Sequence, residues 1–239
     1  MKKLVILLMS LSGVCCNIHS TTSHTSATTD REVRNFDGIE VEGGIEVYLV
    51  QGAEESVSVN ATSDELLERT RTEVENGMLK IYLKDKGWSF NSMGNGKVRV
   101  TVTFKDIDKI EVSGACNVKA NNTIKEKDLK IDLSGASEFL GDIEVENLKL
   151  ETSGAANIKV SGRAEKTAID ASGAGIIKGY DLTTDFCTVD ASGAADIKVN
   201  VVKELNVDAS GGSNINYKGT GVVKSASTSG GATLNKEDK

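Results

Sequence analysis

The chain of 239 residues contains no proline and only two histidines, and aromatic residues make up 4% of it. At an average usage of about 5%, roughly 12 prolines would be expected. Their absence beside 24 glycines excludes collagen-like, polyproline and Pro-rich linker architectures. It points to a backbone that is mostly paired, because proline removes a ladder donor and is barred from central strands. Scarce aromatics leave Val, Ile, Leu and Ala to build the core. The two histidines, His19 and His24, lie near the N-terminus, ahead of every segment with apolar periodicity. A folded part without histidine excludes Ser-His-Asp triads, His-ligated zinc sites and His-based acid–base catalysis. Basic runs are missing too. With a net charge of −7 and a pI near 5.1, the chain has no electrostatic footprint for nucleic acid.

Long apolar runs are limited to one short stretch. Lys2 and Lys3 precede the mostly apolar Leu4 to Leu11, and small residues follow up to Cys15 and Cys16. Residues 1–20 therefore read as an export signal, too short to span a bilayer, which takes about 20 apolar residues. Its removal takes two lysines and no acid, leaving 26 Lys+Arg against 35 Asp+Glu, a net −9. Cys15 and Cys16 leave two outcomes open, lipidation or simple cleavage, since neither is preceded by a good lipobox. Residues 21–32 are Ser/Thr-rich and read as a tether. Cys116 and Cys187 fall on separate repeats and are expected to be free, buried thiols.

The strongest signal is an internal repeat. Ser-Gly-(Ala/Gly) recurs with Ser at 113, 134, 153, 172, 192, 210 and 229, in steps of 21, 19, 19, 20, 18 and 19 residues. Five residues after each Ser stand Val118, Phe139, Ile158, Ile177, Ile197, Ile215 and Leu234. Three before it stand Ile110, Ile131, Leu150, Ile169, Val189, Val207 and Ala226. Apolar and polar positions alternate around these columns, the period of a strand with one buried face. The repeat is too short for a propeller blade, which needs about 40–45 residues. It fits one turn of a stack whose rungs are about 4.8 Å apart. The fold class expected is all-β: a parallel β-helix or β-solenoid over residues 111–239, with Gly at each corner taking φ > 0. Asn117, Asn157, Asp196 and Asn214, four after the Ser, are expected to satisfy turn backbone groups.

Residues 33–110 differ in texture. Short alternating runs around Gly43-Gly44, Val57/Val59, Leu79/Ile81 and Val98/Val100 predict an N-terminal β module that caps the solenoid, with one short helix at Asp64–Thr70 opened by Thr62 or Ser63. Six of the ten aromatics lie here, and Gly87–Gly96 reads as a loop. The polar tail from Asn235 to Lys239 reads as a weaker cap at the far end.

Phe36-Asp37-Gly38-Ile39-Glu40-Val41, then Gly44-Ile45-Glu46-Val47-Tyr48-Leu49, Gly77-Met78-Leu79-Lys80-Ile81 and the serial Ser-Gly-Ala turns together resemble the putative auto-transporter adhesin head GIN domain family. The resemblance covers nearly all of 33–239. It implies a two-part β-helix-like protein exported by a Gram-negative bacterium to the periplasm, outer membrane or cell surface. It carries no catalytic residues. No translocator barrel follows the repeats, so self-transport is not expected.

Chemistry-bearing residues form columns. Two before each repeat Ser stand Glu111, Asp132, Glu151, Asp170, Asp190 and Asp208; Lys109, Lys130 and Lys149, four before it, offset the first three. Ala168, Thr188 and Asn206 leave Asp170, Asp190 and Asp208 without that relief. Three readings apply to this ladder: a solvated face that keeps the stack soluble, a divalent-cation site of hard oxygen ligands, or paired carboxylates that cleave a glycan. A second column, Lys119, Lys159, Lys178 and Lys198, reads as a solvated edge that guards against aggregation, with contact to an anionic glycan as the alternative. No residue is assigned a catalytic, cofactor-binding or metal-ligating role, and no cofactor is expected. The function expected is a non-enzymatic exported adhesin or scaffold whose partner is a glycan or a host or envelope protein. The alternative is a carbohydrate-active β-helix enzyme. Contact with a membrane would run only through a lipid on Cys15 or Cys16.

Overall fold

The computed structural model describes residues 27–84 and 96–237. The segment expected to be an export signal, both candidate lipidation sites and nearly all of the expected 87–96 loop lie outside them. In chain order the elements begin with β1 (Ala27–Arg31), β2 (Gly38–Gly43), β3 (Glu46–Gln51) and β4 (Ser56–Ala61). The helix α1 (Asp64–Arg69) follows, and then β5 (Thr70–Glu75), β6 (Met78–Leu83) and β7 (Val98–Phe104). The repeats supply β8 (Lys109–Gly114), β9 (Asn117–Ala120), β10 (Ile124–Leu133), β11 (Glu138–Thr152), β12 (Asn157–Ala171), β13 (Ile176–Ala191) and β14 (Asp196–Ala209). β15 (Asn214–Lys218), β16 (Val222–Thr228) and β17 (Thr233–Lys236) close the stack. The result is a nearly all-β solenoid of about 7 turns, as the repeat requires.

The parallel register follows the sequence columns residue for residue. Ile110, Ile131, Leu150, Ile169, Val189 and Val207 stack on one another and point inward. The opposite wall is lined by Val118, Phe139, Ile158, Ile177, Ile197 and Ile215. Burying these two columns against each other drives the coil. Each sharp corner is held by a backbone bond from the residue after the Gly to the Gly carbonyl one turn below, as in Ala194 N–H to Gly173 O at 2.7 Å. Gly193 has φ +82°, and a Cβ there would stand 2.5 Å from the Gly173 carbonyl oxygen. Two constraints therefore fix glycine at the corner, the left-handed backbone and the close approach of the turn beneath.

The stack does not begin at residue 111. β2 and β3 form a complete turn under β8 and β9, with Glu42 paired to Ser113 and Gly43 to Gly114. β6 and β7 lie on the far side of that turn. Stacking order and chain order thus differ at this end, and no break falls between 110 and 111, which both lie inside β8. Antiparallel strands cover the N-terminal end: β5 on β6, β4 on β7, and β1 on β4. The helix matches expectation, with Ser63 as N-cap accepting from Leu66 N–H.

Part of the tether is a correction. Residues 27–31 of the Ser/Thr-rich segment 21–32 form β1, because an edge strand needs backbone partners rather than an apolar face. Its pairing with β4 is reinforced by Asn60 Nδ2–H to Thr28 Oγ1, and Arg31 Nη2–H ties it to Leu67 O of α1. The C-terminal tail also differs, since Asn235 and Lys236 belong to β17 and complete the last turn. That turn is open: Val222 is 69% exposed and Ala226 has left the core.

Candidate functional site: charged ladders and a lengthwise groove

The outward columns turn the sequence pattern into surface chemistry. Glu40, Glu111, Asp132, Glu151, Asp170, Asp190 and Asp208 are register partners on successive rungs. In the lower turns lysines interleave with them as expected. Lys109 meets Glu111 at 2.7 Å, and Lys130 bridges Asp132 at 3.2 Å and Glu151 at 2.6 Å. Lys149 also binds Glu151. Hydrogen bonds from Lys130 and then Lys149 pull the Glu151 carboxyl down to about 2. Burial, followed by the hydrogen bond to Glu151, pushes Asp132 the other way. Among the described residues, Asp170, Asp190 and Asp208 have no ion-pair partner. No group of three or more His, Cys, Asp or Glu side chains among those residues is placed to hold a metal ion. A ladder keeps its carboxylates a rung apart and in line, whereas a cation site needs oxygens that converge.

The residues four after each Ser are a second correction. Their side chains bond to each other along the stack and not to turn backbone: Asn157 Nδ2–H to Glu138 Oε1 and Asn214 Nδ2–H to Asp196 Oδ1. The backbone groups of the turn are already satisfied by the neighbouring rung, so the side chains are free to form ladders. The lysine column six after the Ser is interrupted by the exposed Leu140 between Lys119 and Lys159. Cys116 and Cys187 are free and buried, as expected. Burial pushes the two thiols up, to about 11 for Cys116 and about 12 for Cys187. Neither is a nucleophile at neutral pH.

A concavity of about 630 Å³ runs lengthwise across the turns built on β8 to β13. One wall is the column six before the repeat Ser, Asp128–Asn147–Lys166–Phe186 in register. The other is the column four before it, Lys109–Lys130–Lys149–Ala168–Thr188. The intervening Leu129, Leu148 and Thr167 point inward and are buried. The wall of lysine side chains stops at Lys149, and the shorter Ala168 and Thr188 continue it towards the rung of Phe186.

Phe186 is a surface candidate that the repeat columns of the sequence did not single out. It is 37% exposed, on the strand that carries Asp190. A signal was available: Phe interrupts a polar column, in the turn whose Ser-to-Ser step is 20 residues where its neighbours' are 19 and 18. The structure accommodates this turn with register shifts between Gly179 and Thr183 and between Thr184 and Phe186. Phe186 keeps the outward column position, in register with Lys166, while β14 takes the extra residue at the second shift, and the neighbouring Asp185 is buried. Asp185 is held by Lys203 at 3.0 Å and Arg163 at 3.2 Å, and Lys203 lies 5.2 Å from the Phe186 ring centroid. The hydrogen bond from Lys203 keeps the Asp185 carboxyl below its ordinary value. Thr167 Oγ1 bonds Thr184 Oγ1 at 2.9 Å beneath the bulge.

A capped parallel solenoid with ladders of like residues on its outer faces defines a repeat protein of the β-helix class. The chain belongs to the family described as putative auto-transporter adhesin, head GIN domain, whose sequence model matches residues 35–221. A putative adhesin from Bacteroides fragilis has the same fold, with a TM-score of 0.82 over 90% of this chain and 98% of that one at 21% identity. A putative adhesin from Parabacteroides merdae is similar at a TM-score of 0.69 and 17% identity, covering 89% and 96%. A putative lipid binding protein from Parabacteroides distasonis reaches 0.67 at 21% identity, covering 89% and 97%. At these identities the likeness is one of fold. No curated protein matches the chain.

Proposed function

We propose that this protein is a non-enzymatic, exported cell-envelope module that works as an adhesin, holding a partner along the side of the stack. The observation that carries this reading is the arrangement of polar side chains. They stand in ladders on exposed faces, one rung apart, and do not converge on a reacting atom. Seven turns at about 4.8 Å give a face about 34 Å long, a surface suited to an extended partner. Family membership supports the same reading, and the N-terminal signal pattern supports export. Arrays of glycans and matrix proteins probed with the purified protein test it, together with protease shaving of intact cells. Retention on one ligand class and loss of the protein on shaving are expected. Blanks on every array would overturn adhesion. Depolymerisation of a polysaccharide that Asp190→Asn abolishes would replace it with an enzyme.

A further inference from the structure

We propose that the lengthwise groove binds a neutral linear polysaccharide whose chain runs along the stack axis, with one pyranose ring seated on Phe186. The proposal rests on the adhesin reading above and names its ligand class and contact residues.

The groove repeats every rung, about 4.8 Å, and a hexopyranose chain advances by a comparable distance per ring. Successive sugars therefore meet equivalent positions. Asn147 and Lys166 on one wall and Lys149 and Thr188 on the other offer amide, ammonium and hydroxyl groups to ring hydroxyls. Ala168 and Thr188 put short side chains on the wall across from Phe186. Lys203 stands over one face of the ring, and the other is the flat apolar face that would meet the C–H side of a sugar. The ring stands in the outward column in register with Lys166, beside the buried Asp185 held between Arg163 and Lys203.

Charge decides which sugar. Lys109, Lys130 and Lys149 are matched by Glu111, Asp132 and Glu151, so this wall donates hydrogen bonds with little net positive potential. Beyond Ala168 and Thr188 stand Asp170 and Asp190, which have no ion-pair partner among the described residues, outnumber the one lysine of the groove that also lacks one, Lys166, and repel a polyanion. An extended peptide fits less well. Strands β11 to β13 are paired on both sides along the groove, so no free sheet edge remains for an added strand.

Affinity electrophoresis tests this through gels containing mixed-linkage β-glucan, galactomannan, xylan, polygalacturonate or heparin. The full chain is compared with Phe186→Ala, an exposed position whose variant should melt with the wild type. Retardation by at least one neutral polymer, weakened about tenfold in Phe186→Ala, is expected. Retardation that Phe186→Ala leaves unchanged overturns the groove assignment, while the adhesin reading survives. Retardation by polygalacturonate or heparin alone overturns the neutral ligand. No retardation in any gel overturns the proposal, and blank glycan and matrix arrays alongside it would overturn the adhesin reading as well.

Discussion

The lower and upper halves of the acidic ladder share one backbone and differ in what stands beside the acids. Around β8, β10 and β11 each carboxylate has a lysine within 3.2 Å. Around β12, β13 and β14 the lysine positions hold Ala168, Thr188 and Asn206, and the aspartates face solvent with no ion-pair partner among the described residues. The Gly corners and the apolar columns run through both halves unchanged. The stack therefore does not need ion pairs to form. Stacked apolar columns and corner geometry hold it together, and charge compensation is adjustable along its length. The half that lacks compensation is the half that displays Phe186.

The largest effect should fall on what the halves share. A Cβ at Gly135 would stand 2.6 Å from the Gly114 carbonyl oxygen, and one at Gly193 would stand 2.5 Å from that of Gly173. Both positions have positive φ, +72° and +82°. Gly135→Ala and Gly193→Ala should each cost about 2–4 kcal/mol, combining left-handed strain with displacement of a corner. Chemical denaturation of the two variants checks this. Unequal costs would mean that the corner is not common ground.

Lys130 is where the halves separate. It bridges two acids on adjacent rungs, so Lys130→Met leaves Glu111, Asp132 and Glu151 in register with one cation fewer. The lysine is partly exposed, which limits the cost to about 1–1.5 kcal/mol. Ala168→Met, one rung above Lys149 in the same column, should stay within about 0.5 kcal/mol because it removes no pair. Equal melting temperatures for the two variants would show that the lower lysines add nothing.

Most of this ladder was legible in the sequence, because a repeat of 19–20 residues places the same role at the same offset. The pairing of Lys109, Lys130 and Lys149 with the first three acids follows from that offset alone. The rest was hidden for physical reasons. The turn of β2 and β3 has Glu42-Gly43-Gly44 at its corner and lacks the Ser that marks the others. Its neighbour on the capped side, β6 and β7, comes later in the chain. β1 carries no apolar face to betray it and is held by backbone pairing. The groove depends on how the coil bends between β8 and β13, which a period does not specify. Phe186 is one residue in one column, and only its coincidence with the 20-residue step marks it.

Acid should act on the compensated half through Glu151. Its carboxyl is held at about 2 by Lys130 and Lys149, against an ordinary value of 4.5. A lowered carboxyl stabilises the fold fully above pH 4.5, and that contribution is lost as pH falls from 4.5 toward 2. Asp132 is shifted upward, so its protonation relieves the fold over acid pH and blunts the loss. The wild type should exceed Glu151→Gln by about 1 kcal/mol at pH 6, with the gap closing by pH 2. Melting curves across that range check the sign. A gap that widens in acid would reverse the assignment.

The smallest expected effect bears most directly on why the halves differ. Ala168→Lys extends the lysine column by one rung and sets an ammonium beside Asp170, which should add about 0.3–0.5 kcal/mol of stability at low salt. Added salt should erase the gain, since screening acts on exposed pairs. The same side chain stands in the open part of the groove opposite Phe186, so polysaccharide retardation should fall as stability rises. A sequence shaped only for stability would have kept lysine at this position. If Ala168→Lys is more stable and binds as before, the interruption of the column has nothing to do with the groove. If it is more stable and no longer binds, the missing lysines of the upper half are what keeps that groove open.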